Sequence, residues 1–90
     1  MKEVYASWCT EYEFGQRDDG VYFSQDLDAL KEKIKHVHSL GDRDGYWRCS
    51  EPIVVFVEPK VWRKYAAKEK KGVKVFLESS LPDGFYKKVK

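Results

Sequence analysis

An α+β domain, with two helices on one face of an antiparallel sheet, is what the 90-residue sequence predicts. Three observations carry it. Residues 2–14 alternate, with Val4, Ala6, Trp8, Tyr12 and Phe14 on one parity and Glu3, Ser7, Glu11 and Glu13 on the other, the period of a strand with one buried face. Leu27, Leu30, Ile34 and Val37 recur at helical spacing. The unbroken apolar run IVVFV at residues 53–57 suits a central strand buried on both faces.

The elements follow in order. After the first strand, GQRDDG at residues 15–20 is a turn-forming run, and Val21, Tyr22 and Phe23 pair back on that strand as a hairpin. Ser24 suits the N-cap of a helix over residues 25–40, with Asp26 and Asp28 in a first turn whose dipole favours negative charge. Gly41 is placed to end that helix in the left-handed conformation, and residues 41–45 form a loop. Residues 46–49 and 53–57 read as two strands, Pro52 being tolerated at the start of the second, where its missing N–H does least harm. Pro59 suits the first position of a second helix and Gly72 the position after its last. Over residues 59–72, Val61, Trp62, Tyr65 and Ala66 fall on one side at 100° per residue, opposite Lys60, Arg63, Lys64, Lys68, Lys70 and Lys71. Residues 73–77 return as a strand. The order β(β)αββαβ is that of a ferredoxin-like double βαβ, or of a ββαβ core with an appended basic helix. The domain is expected over residues 1–80, with 81–90 as a basic, loosely held tail.

Composition bounds the function. With 42% apolar and 16% aromatic residues the chain can build a core, yet a domain this small leaves little material for a deep cleft. No stretch approaches the roughly 20 apolar residues that span a bilayer, and MKEVYASW has no apolar run of signal-peptide length. The expected location is the cytoplasm, where Cys9 and Cys49 are expected as buried thiols. Net charge is only +2, but residues 1–59 hold seven bases against twelve acids and residues 60–90 hold ten bases against three. Such polarity points to an anionic partner.

Five cations of the basic helix, Lys60, Arg63, Lys64, Lys68 and Lys71, can meet nucleic-acid phosphates, with Trp47 as a stacking platform beside Arg48. Lysine outnumbers arginine there, which favours backbone contact over base reading. Trp62, on the apolar side, is expected in the core. In the acidic half, Glu11, Glu13, Asp18 and Asp19 are placed to engage a basic partner. His36 and His38 point about 200° apart on a helix and cannot share a metal. No P-loop, nucleophile elbow, HExxH or Cys–His arrangement occurs, so neither catalytic chemistry nor a cofactor or metal is expected.

The stretch KEVYASWCTEYEFG followed by DGVYFSQDLDALKEKI resembles small phage-encoded accessory and anti-defence proteins, in which a hairpin ending in an aromatic-Ser cap leads into one amphipathic helix. The likeness covers about residues 2–40 and carries over no binding residue. It implies a monomer or homodimer in the host cytoplasm that binds and inhibits a host or defence protein, anti-CRISPR proteins being one such kind. The leading expectation is therefore a non-enzymatic inhibitor acting through its polarised surface. The alternative is a direct DNA- or RNA-binding module using the basic helix, and a small enzyme or nucleotide sponge with a site at a subunit interface comes third.

Overall fold

A computed structural model describes residues 1–13, 16–44 and 48–88. Its spine is a hairpin of two long strands, β1 (Lys2–Glu13) and β2 (Gln16–Ser24), paired without interruption from Tyr5↔Ser24 to Glu13↔Gln16. The second strand is thus much longer than the three residues its apolar content marks, and residues 16–20 lie in the strand. Of the turn expected over residues 15–20, residues 16–20 are thus corrected to strand, and Gly15 lies outside the described residues. A sheet grows on both flanks, in the order β5 (Glu69–Lys70), β6 (Val73–Leu77), β2, β1, β4 (Ile53–Val57), β7 (Lys87–Lys88), with all pairs antiparallel. β3 (Arg48–Cys49) continues the line of β4 along β1.

β3 and β4 are one strand broken by a bulge. Ala6 pairs with Ile53 and Cys9 with Cys49, so residues 50–52 stand against only Ser7 and Trp8. Ser50 secures the break: its N–H donates to the Trp8 carbonyl at 2.7 Å, its hydroxyl accepts from the Trp8 N–H at 2.9 Å, and its carbonyl accepts from the buried Ser7 hydroxyl at 2.7 Å. Pro52 sits in this bulge, just before β4, where no ladder bond is asked of it. Cys9, buried, and Cys49, half-buried, are directly opposed partners, both thiols.

Helix α1 (Leu27–Asp44) begins two residues later than expected. Asp26, not Ser24, caps it: its carboxylate accepts from the Asp28 N–H at 2.9 Å and its carbonyl from the Leu30 N–H at 3.1 Å. The helix also runs past Gly41 to Asp44, so the expected loop at 41–44 is helical. Leu30, Val37 and the half-buried Ile34 seat it on Cys9, Tyr22 and Val73, which share one sheet face.

The second helix, α2 (Pro59–Lys64), lies on the other face. There Trp62 packs with Val4, Ala6, Val21, Phe23, Val55, Val57, Phe76 and Phe85. The strand parities separate the two clusters, since Ala6, Val21 and Phe23 point away from Tyr22 and Cys9. The prediction of two helices on one face is therefore corrected to one on each. The ferredoxin-like double βαβ is not formed either. β2, α1 and β4 make one split βαβ unit around β1, but β6 runs antiparallel to β4, so α2 closes no second parallel crossover. A small antiparallel α+β sheet protein is what stands.

Two further expectations change. IVVFV is not central: β4 has β1 on one side and, among the described residues, only Lys87–Lys88 of β7 on the other, with Ile53 42% and Val54 38% exposed. The tail up to Lys88 is not loose but packed. Phe85 is buried against Phe23, Trp62, Tyr65 and Phe76 with ring centroids 5.0–6.4 Å apart, and Lys87–Lys88 pair with Phe56 and Val55.

The basic helix stops at Lys64. A 3-10 turn (Ala66–Lys68) follows, and then β5 and β6 form a hairpin through Lys71 (φ 54°) and Gly72 (φ 83°). Both turn residues are left-handed, the geometry of the two-residue turn that matches strand twist. Replacing Gly72 by alanine meets two penalties, the positive φ and a Cβ only 3.3 Å from that of Ala29. A loss of about 1–2 kcal/mol in chemical denaturation is expected.

Candidate functional site

The sheet register places the predicted acidic and the predicted basic site residues toward opposite ends of one body. β1 runs from Lys2, paired with Val57, toward Glu13. Beyond Thr10 on β1 and Gly20 on β2 no other strand pairs among the described residues, and there Glu11–Glu13 and Gln16–Asp19 continue as a two-stranded ribbon. All four predicted partner-binding acids lie on it: Glu11 and Asp18 are directly opposed, Asp19 opposes Thr10, and Glu13 opposes Gln16. Arg17 is the one base among those positions.

The basic residues gather at the other end. α2 leaves β4 at Val57, and the Lys71–Gly72 turn sits beside Ser24, whose buried hydroxyl lies 2.7 Å from the Gly72 carbonyl. Lys60, Arg63 and Lys64 are exposed on α2, Lys68 on the 3-10 turn, and Lys71 in the hairpin turn. Because the helix ends at Lys64, these five do not form the single stripe the periodicity predicts. Lys71 is carried round to the α1 side of the sheet. Lys64 and Lys68 lie near the Tyr65 and Phe76 rings, at 5.7 and 6.0 Å. Among the described residues none of the five is in an ion pair. Trp47 falls outside the described residues, and Trp62 is core, as expected.

Lys74 is the cation that periodicity does not single out. Only 2% exposed, it sits over the Trp62 ring at 4.4 Å, 3.4 Å from the Glu69 carboxylate and 3.4 Å from the Tyr65 carbonyl. This charge ties β5 to β6 and joins both to α2, and its alternation with Val73 and Val75 in VKVF marks it only as a surface position. Lys74→Ala removes a buried stem from under the indole and is expected to cost about 2–4 kcal/mol. Lys74→Met keeps the volume and drops the charge, and should stay within about 1.5 kcal/mol of wild type. Thermal unfolding of the two variants side by side checks both.

A cleft of about 580 Å³ opens between α1 and the β5–β6 hairpin. Lys33, Lys70, Lys71 and His36 supply its polar wall with Glu32, and Ala29, Val73 and Val75 its apolar part. Lys33 also lies 5.5 Å from the Tyr22 ring. Sequence gives no sign that residue 33 meets residue 71, because only the tight hairpin brings them together. His36 and His38 point apart, as the helical spacing requires, and His38 Nε2 accepts from the Cys49 N–H at 3.1 Å, joining α1 to β3. Among the described residues no three His, Cys, Asp or Glu converge on a metal-sized site, and no helix is long and apolar enough to cross a membrane. Compared with known proteins, the chain matches no family model, no curated protein and no solved structure.

Proposed function

We propose that this is a binding protein without catalytic chemistry, of the phage-inhibitor kind, which docks through its acidic β1–β2 ribbon on the basic groove of a host or defence protein and blocks it. The observation that carries this reading is the ribbon itself. It carries four acids and one base along its length. A narrow strand pair of net negative charge is suited to enter a groove built for nucleic-acid phosphate, where it competes with the natural ligand. The succession of hairpin and then amphipathic helix, on which the phage resemblance rests, adds support.

The test is capture of the partner from host lysate on immobilised wild-type protein, compared with the Glu13→Lys, Asp19→Lys double variant, with heparin or duplex DNA added as competitor. Capture lost on charge reversal and displaced by the polyanion supports the reading. Capture that survives the double change sinks it.

A second reading, direct nucleic-acid binding, is favoured by the exposed cations of α2 and the 3-10 turn, which have no ion-pair partner among the described residues. Lys64→Glu with Lys68→Glu should then abolish retention on DNA, and binding by the wild type should fall about tenfold or more between low and physiological salt. Retention unchanged by the double variant rules those residues out.

A further inference from the structure

We infer that the cleft between α1 and the β5–β6 hairpin binds an organic phosphate, with the phosphate on Lys33, Lys70 and Lys71 and the organic part against Ala29, Val73 and Val75. Its volume of about 580 Å³ lies within the range of small-molecule sites, about 300–1,000 Å³. Three lysines line it from two elements, and Glu32 is the one carboxylate among its described lining residues. None of the three lysines is ion-paired among the described residues, so with Glu32 counted the described lining keeps a net positive charge.

The walls are set in place by the fold. The hairpin turn is held by the contact of the Ser24 hydroxyl with the Gly72 carbonyl and approaches α1 so closely that a Cβ on Gly72 would meet Ala29. Lys33 is half-buried, with its ammonium near the Tyr22 ring, which restricts the arc its head can sweep. Val73 and Val75 project from the same sheet face beneath these cations. Cations lining a cleft with an apolar floor suit a compact ligand with one charged end. An extended polyanion would need the cations in a row. The site lies at the end of the molecule away from the acidic ribbon, so either reading can fail alone.

The experiment is a two-dimensional amide NMR titration of the whole protein with AMP, inorganic phosphate and a short single-stranded DNA, repeated on the Lys33→Gln, Lys71→Asn variant. Asparagine tolerates the left-handed conformation at position 71, so the variant should keep the turn. AMP should shift the amides of Ala29, Lys33, His36, Lys70 and Val73, bind more tightly than inorganic phosphate, and lose about tenfold in affinity in the variant. Several outcomes overturn the inference. They are shifts spread evenly over the exposed lysines, equal binding of phosphate and AMP, binding by DNA alone, and a variant that keeps its resonance dispersion and its full affinity.

Discussion

Replacing Phe85 by alanine is expected to cost about 3–5 kcal/mol of folding stability, enough to remove most of what a chain of this size has. The ring is 2% exposed and lies within 6.4 Å, centroid to centroid, of four other aromatic rings, so its loss opens a cavity that a sheet and a short helix cannot close. Small domains carry a net stability of about 5–15 kcal/mol, and a chain of this size sits toward the low end. Urea denaturation followed by circular dichroism measures the effect. Leu77→Ala, at a residue 54% exposed, is the matched control and should stay within about 0.5 kcal/mol of wild type. A loss at Phe85 as small as that of the control would show that the C-terminal segment is dispensable to the core.

Reversing Glu13 and Asp19 to lysine should reduce partner affinity by about a hundredfold or more, because each close charge pair lost at a desolvated interface costs about 2–5 kcal/mol. The fold should survive. The register already sets Glu11 against Asp18, and like charges at directly opposed positions oppose pairing, so added positive charge on the ribbon relieves repulsion. Calorimetric titration of the captured partner gives the affinity, and unchanged thermal unfolding separates lost docking from lost structure. An affinity change of less than about threefold would remove the ribbon from the interface.

Much of the architecture was legible in the chain. Alternation in β1, helical spacing in α1 and the VKVFL strand β6 each report a period that only one backbone geometry satisfies. The buried Trp62 was read correctly for the same reason. What misled was the segment from Lys60 to Gly72. Its period is helical, but the gain from the β5–β6 pairing, with Glu69 opposite Lys74 and Tyr65 packed on Phe76 and Phe85, exceeds that of two more helical turns. A Lys-Gly pair is also a weaker turn signal than Asn-Gly. Phe85 was missed because two adjacent aromatics, Phe85 and Tyr86, between a Pro-Asp-Gly turn and a lysine pair have no period to read.

By itself, then, the sequence determined the fold class, the hairpin that opens the chain, the first helix and the separation of acidic from basic segments, since all of these follow from local pattern and composition. The tertiary structure alone decided that the helices take opposite faces, that the predicted basic stripe is split, that Lys74 is buried beneath an indole, and that Lys33 and His36 meet Lys70 and Lys71 across a cleft. Those outcomes depend on pairings between residues far apart in the chain. Which of them forms is set by competition among whole packed arrangements, and no local period records that competition.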